Sequence, residues 1–291
     1  MNEPLFQLKG LKKYFPVRKG FLSRTQGFVK AVDDVTLTIR RQENWGVVGE
    51  SGSGKSTLAK LLLKFFPVDQ GSILFKGEDT AQFQKNQLRH YRKNIQMVFQ
   101  DPYSSLDPRY TLRRILQEAI VLDPKSYANF TQREKRMREI LEAVGLKADM
   151  LNRYPHEFSG GERQRIAIAR ALIVNPQVLI LDEAVSSLDV LVQEQILNLL
   201  LQLQKRFDVT YIFISHNLKV VKRMSQRIAV MYQGKIVELG STEDIFNNPL
   251  HFYTRELLSA AVDYKVMAKE SIVMNPHARL VDQGGGHCVL V

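Results

Sequence analysis

The chain has 291 residues, a length that suggests about two domains or lobes and buries a core without disulfide or metal staples. Its 44% apolar and 24% charged residues exclude a disordered chain, a collagen-like repeat and a small disulfide scaffold. The 41 Lys and Arg against 30 Asp and Glu give a formal charge of +11, which admits nucleotides, nucleic acid or an anionic membrane surface as partners. The single cysteine, Cys288, allows no intrachain disulfide and fits a reducing, cytosolic compartment. No apolar run is long enough for a membrane span, because Lys64 interrupts one candidate and Gln202 and Gln204 another. Residues 1–10 carry no apolar signal-peptide core, so no route of secretion is expected.

The predicted elements begin with strands at Leu5–Leu8 and Ala31–Ile39, the second alternating as a half-buried strand should. Pro16 to Phe28, holding Gly20, Ser23 and Gly27, reads as a loop between them. It lies within a basic run, Lys9 to Lys30, that is free of acids. Trp45–Val48 reads as a short buried strand, Lys55–Phe66 as a helix ended by Pro67, and Ser72–Lys76 and Ile95–Phe99 as strands. Residues 103–157 are polar, charged and helical, which marks an inserted helical lobe. Within it Arg133, Lys135, Arg136 and Arg138 alternate with Glu134, Glu139 and Glu142, the pattern of an exposed helix face. Helices at 162–174, 190–206 and 217–223 then alternate with strands at 178–181, 210–214 and 228–232, which implies a mostly parallel sheet. A helical end piece at Glu243–Ala260 precedes a tail at 263–291, whose Gly284-Gly285-Gly286 reads as flexible.

Three segments carry chemistry. Gly49-Glu50-Ser51-Gly52-Ser53-Gly54-Lys55-Ser56 matches G-x-x-x-x-G-K-[ST], with an apolar strand before it and a helix, through Thr57, after it. Its glycines let successive N–H groups turn inward on phosphate oxygens, and the helix start adds its positive end. Lys55 is placed for β/γ-phosphates and the Ser56 hydroxyl for Mg²⁺. Val178–Leu181 ends in Asp182 and Glu183, and acids at a buried strand end point to a cation or to chemistry. Asp182 suits the Mg²⁺ shell, and Glu183 suits the base or orienter of an attacking water. Phe158-Ser159-Gly160-Gly161-Glu162-Arg163-Gln164-Arg165 opens a helix with a second anion-binding N-terminus. One γ-phosphate does not need two cradles, so the second suggests a nucleotide held mainly by a partner chain.

Together these segments resemble the ATP-binding subunit of an ATP-binding-cassette (ABC) transporter, over about residues 5–262. The resemblance implies an α/β phosphate-loop NTPase fold with a mostly parallel sheet, an antiparallel β subdomain and a helical subdomain at about 103–158. Phe158–Glu162 resembles the family signature, and Ser187-Leu188-Asp189 the D-loop. Gln100 resembles the Gln-loop residue that bridges Mg²⁺ to the transmembrane contact. Ser215-His216 resembles the switch histidine of the γ-phosphate. The resemblance also implies an adenine-stacking aromatic before the basic loop, Phe15 first and Tyr14 second. Within the family the chain is most similar to ATPases of peptide and nickel importers, on residues 48–56, 100–108, 182–190 and His251-Phe252-Tyr253-Thr254.

That resemblance further implies an ATPase with ATP and Mg²⁺ as cofactors, peripheral at the cytoplasmic face of the inner membrane. Its expected partners are a second cassette (a related chain or a copy of itself), two transmembrane permease subunits and an extracytoplasmic solute-binding protein, with no nucleic acid. The cargo implied is a di- or oligopeptide, with nickel second. Two alternatives stay open at this point: a non-membrane cassette ATPase acting on nucleic acid or the ribosome, and an exporter ATPase. Three positions depart from the pattern: Glu162 stands where Gln is usual, Asn217 where Asp is usual, and only Cys288 is present where many relatives carry a cysteine set. An iron–sulfur cluster generally needs four cysteines, so none is expected.

Overall fold

The structure, a computed structural model, describes residues 3–19, 24–101, 105–124, 126–261 and 278–291. The tip of the basic loop at 20–23, residues 102–104 after Gln100 and most of the expected tail at 262–277 lie outside them. Two compact units are present: Met1–Gln82 with Phe213–Val291, and Phe83–Ile212.

The first unit opens with an antiparallel sheet in the order β2-β1-β4-β5, built from β1 (Pro4–Lys19), β2 (Arg24–Arg40), β4 (Gln70–Phe75) and β5 (Glu78–Asp79). Val35, Leu37 and Ile39 of β2 are buried with period 2, and Phe6, Leu8 and Leu11 of β1 are buried too, the step of three after Leu8 falling at a register shift. The expected loop at 16–28 is corrected here. β1 and β2 run on as paired arms, with Pro16 opposite Phe28 and Val17 opposite Gly27. Turn-forming residues were read as a loop, but the ladder between the two long strands overrides that local preference. Pro16 is tolerated in this arm, past the last β1–β4 pair at Lys12, because it removes only one donor.

The same unit holds β3 (Trp45–Val48), β9 (Arg227–Tyr232), β10 (Lys235–Ser241), β11 (Leu280–Asp282) and β12 (Cys288–Leu290), in the order β11-β12-β10-β9-β3. β3 and β9 are parallel, whereas β9–β10, β10–β12 and β11–β12 are antiparallel. Residues 278–291, read from sequence as part of a tail, thus close a hairpin on the edge of β10. Gly284–Gly286 turn it with positive φ, and Asp282 Oδ1 accepts the Gly284 N–H at 2.8 Å. The helices here are α1 (Lys55–Leu62), α7 (Leu218–Met224), α8 (Thr242–Asn247) and α9 (Phe252–Ala261). α1 stops four residues short of expectation, because Lys64 turns to a φ of 55°. The end piece expected as one helix is divided into α8 and α9, with Pro249 between them.

The second unit carries α2 (Lys85–Asn94), β6 (Ile95–Val98), α3 (Leu112–Ile120), α4 (Phe130–Ala143), α5 (Gly160–Leu172), β7 (Val178–Asp182) and α6 (Val190–Phe207). β6 and β7 are parallel, and β8 (Thr210–Ile214) passes from this unit into the first. The helical stretch expected at 103–158 therefore belongs to a larger body that also holds β6, β7, α5 and α6. Arg136 was expected on an exposed helix face and is instead buried. It donates to the carbonyls of Ile173 at 2.8 Å and Leu172 at 3.1 Å and to Asn175 Oδ1 at 2.6 Å. A guanidinium at the C-terminal end of α5 meets carbonyls that have no helical partner. No described helix is long and apolar enough to cross a membrane.

Candidate nucleotide site

In the first unit, β3 runs fully buried into the loop 49–54, and α1 leaves from it. The Lys55 side chain folds back into the loop and is buried. Its Nζ donates to Gly49 O at 2.8 Å, Glu50 O at 2.7 Å and Ser53 Oγ at 3.3 Å. The ammonium is thereby held among acceptors at the start of α1. The N-cap of α1 is Gly54, with φ 109°, and no side chain caps the helix. A Cβ at Gly54 would lie 2.1 Å from Ala31 O, so the loop backbone approaches β2 as only glycine permits. That cradle, the buried ammonium and the uncapped helix start fit a triphosphate. Gly52 and Ser51 are exposed, as are Glu50 and, after β8, His216. Asn217 explains itself: its Oδ1 accepts from Lys219 N at 3.1 Å and Val220 N at 3.4 Å, capping α7.

Of the two aromatic candidates, Phe15 meets Phe66 edge-on at 5.3 Å, with Lys13 Nζ 5.6 Å from its ring centre. Tyr14 donates its hydroxyl to Asp33 Oδ1 at 2.5 Å, and burial together with that carboxylate pushes its pKa up to about 12. Tyr14 is thus engaged through its polar end, while Phe15 presents only a ring.

In the second unit, β7 is buried throughout and ends at Asp182, itself largely buried. Glu183 follows in the left-handed region at φ 49°, which for a non-glycine residue marks a backbone held against its preference. Its carbonyl accepts from Ser186 N at 3.1 Å and Ser186 Oγ at 2.9 Å. Its Oε2 accepts Gln100 Nε2 at 3.1 Å, so two residues singled out separately in the sequence meet. Asp189 caps α6 by accepting Val192 N at 3.0 Å.

Ser159 caps α5 in a reciprocal arrangement with Glu162: its Oγ accepts Glu162 N at 3.3 Å, and Glu162 Oε2 accepts Ser159 N at 2.9 Å. The Glu162 departure is therefore structural. The Ser159 backbone bond, followed by its hydroxyl, holds the carboxyl below the usual range. That contribution to stability is present above about pH 4.5, the ordinary carboxyl value, and is lost as pH falls through the lowered folded value. Replacing Ser159 with Ala is expected to cost about 1 kcal/mol, seen as a lower thermal midpoint, and Glu162→Gln considerably less. Gly161 lies so close to α6 that a Cβ would stand 2.7 Å from Val192 Cγ1.

Sequence reasoning missed Tyr253, whose hydroxyl accepts the Glu50 N–H at 2.9 Å. The only signal was the His251–Thr254 stretch, noted for its resemblance without a role.

The glycine loop with its buried lysine at the start of α1 is that of a phosphate-loop nucleotide-binding protein. The family model described as ABC transporter matches residues 32–186. The oligopeptide transport ATP-binding protein AppF of Bacillus subtilis (strain 168) is 49% identical over 262 residues, covering 89% of this chain and 78% of that protein. The dipeptide transport ATP-binding protein DppF of Haemophilus influenzae is 46% identical over 259 residues, with coverage of 89% and 78%. Among solved structures, the dimeric ATP-binding cassette MJ0796 bound to ADP and Pi is 27% identical, with a TM-score of 0.70 and coverage of 81% and 98%. The chain belongs to the ABC transporter family and is an ATP-hydrolysing cassette of it.

Proposed function

We propose that this cassette powers the uptake of di- or oligopeptides through an ABC importer. The identity to AppF and DppF along most of their length carries the peptide reading. The Lys55 ammonium, fixed by three loop acceptors, supports the nucleotide chemistry. In this reading Lys55, with the backbone of Gly49, Ser51, Gly52, Ser53, Gly54, Ser56 and Thr57, binds the β- and γ-phosphates. Glu50 shapes the loop, and the Phe15 ring stacks on adenine. The Ser56 hydroxyl, the Asp182 carboxylate and the Gln100 amide oxygen are the hard oxygen donors that suit Mg²⁺. When bound, Mg²⁺ neutralises charge on the phosphate oxygens.

Glu183 orients the attacking water and takes its proton, while Gln100 Nε2 steadies the carboxylate. His216 donates to the γ-phosphate. Ser159, Gly160 and Gly161 at the start of α5, together with Asp189, serve a nucleotide held by a second cassette. Closing the pair excludes water, which strengthens each of these electrostatic contacts. Its partners are that second cassette, two permease subunits and a solute-binding protein, and it works at the cytoplasmic face of the membrane.

Uptake of a radiolabelled tripeptide by cells lacking this gene tests the reading. Wild type is expected to restore uptake and Lys55→Ala to leave it at background. Full uptake with Lys55→Ala, or none with wild type across di- and oligopeptides, would overturn it.

A further inference from the structure

The His251–Thr254 stretch takes no part in the chemistry above, yet it is tied to the phosphate loop. Tyr253 is 1% exposed, and its ring packs at 4.4 Å on that of Tyr232. Its hydroxyl accepts the N–H of Glu50, 203 positions away in sequence. A peptide unit is planar, so the Glu50 N–H and the Gly49 C=O turn together. That Gly49 carbonyl is one of the acceptors of Lys55 Nζ, and the next, Glu50 O, accepts both Lys55 Nζ and Ser53 N. The tyrosine hydroxyl therefore sets the plane that aims an acceptor at the ammonium.

Tyr253 is itself held. Its N–H donates to His251 Nδ1 at 3.1 Å. The N–H groups of Leu250 and His251 donate to Glu238 Oε1 at 2.8 Å and Oε2 at 2.9 Å. Glu238 is fully buried, and His287 Nε2 lies 2.8 Å from its Oε1. Burial pushes the Tyr253 pKa up to about 12, so the hydroxyl stays neutral at physiological pH. Burial also lowers the His251 pKa, in the same sense as its Nδ1 accepting the Tyr253 N–H.

We propose that Tyr253 is a positioning residue for nucleotide binding: by fixing the Gly49–Glu50 peptide plane, its hydroxyl holds the Lys55 ammonium ready for phosphate before the nucleotide arrives. The proposal rests on the loop being the nucleotide site. Pre-organisation of this kind acts on affinity, because it removes an ordering cost at the moment of binding.

Tyr253→Phe keeps the ring and removes the acceptor. Three quantities are read on the full chain: amide exchange of the loop without nucleotide, the Kd of a fluorescent ATP analogue, and the thermal midpoint. The Glu50 amide is expected to exchange at least about tenfold faster, as a protected N–H loses its partner. The Kd is expected to rise about three- to tenfold, the thermal midpoint changing by only a few degrees. Tyr232→Phe, which removes the hydroxyl of the other ring in the pair and the bond it accepts from Gln233 Nε2, is expected to leave loop exchange and Kd at wild-type values. Unchanged loop exchange or Kd in Tyr253→Phe would overturn the proposal, and so would equal effects from the two variants, which would show an effect not specific to the Tyr253 hydroxyl. Lys55→Ala separates the two levels. If it binds the analogue as well as wild type does, the loop is not the nucleotide site. If it loses binding while Tyr253→Phe does not, only the positioning role fails.

Discussion

Glu183→Gln is expected to lower ATP turnover by about 10²–10⁴-fold, the range for loss of a positioned general base. The substitution is nearly isosteric and removes little else. An amide oxygen at the same place still accepts Gln100 Nε2, the bond that holds the side chain at 3.1 Å in the native chain. The left-handed backbone at φ 49° is fixed by the Ser186 bonds to the Glu183 carbonyl, which the change does not touch. The substitution removes the basic carboxylate oxygen to which the proposed mechanism assigns the proton of the attacking water. Binding of ATP persists, because Lys55 and its acceptors are untouched, so the ATP-bound pair of cassettes accumulates instead of resolving. Turnover measured with the partner subunits, with gel filtration in ATP to detect the pair, checks both halves of this expectation. Unchanged turnover would contradict the role of Glu183.

Gly54→Ala is expected to abolish measurable nucleotide binding and to lower the thermal midpoint by several degrees. Two costs combine at this position. A φ of 109° lies outside what an L side chain adopts readily, a strain of about 1–3 kcal/mol. The added Cβ would also stand 2.1 Å from the carbonyl oxygen of Ala31, a backbone atom within β2 that cannot swing aside as a side chain would. Relief requires moving the loop, and the loop is what holds Lys55. Gly52 supplies the comparison. It too has a positive φ, 83°, yet nothing lies within 4 Å of a Cβ there. Gly52→Ala should therefore show only the strain, with a smaller shift in midpoint and a measurable ATP affinity. Calorimetric titration and thermal melts of the two variants separate backbone strain from collision.

The legible parts of this molecule were those where local sequence and local backbone demand coincide. The loop 49–56 needs glycine where φ is positive and lysine at the helix start, and both requirements stand within eight residues. β7 and β8 are apolar at nearly every position because every position is buried, so their limits were read to within a residue. The bond between Gln100 and Glu183 was not legible, since 83 positions separate them and each was singled out for a different role.

The features that stayed hidden depend on partners far along the chain. The arms of β1 and β2 carry Pro16 and Gly27, which read as turn residues until the opposite strand supplies the ladder. The hairpin at 278–291 has a glycine-rich turn and short strands that exist because β10 offers an edge. Arg136 has the spacing of a surface residue, and only the C-terminal carbonyls of α5 make it a buried one. Tyr253 gave no chemical signal at all, because its role lies in a bond to a backbone N–H.

The most direct test of peptide import is an affinity pull-down of this chain from native membranes, with co-purifying chains identified by mass spectrometry. Recovery of a second cassette, two multispanning subunits and a peptide-binding protein is the expected result. Recovery of ribosomes or nucleic-acid machinery with no multispanning subunit would contradict it, leaving the ATPase chemistry in place and the transport assignment overturned.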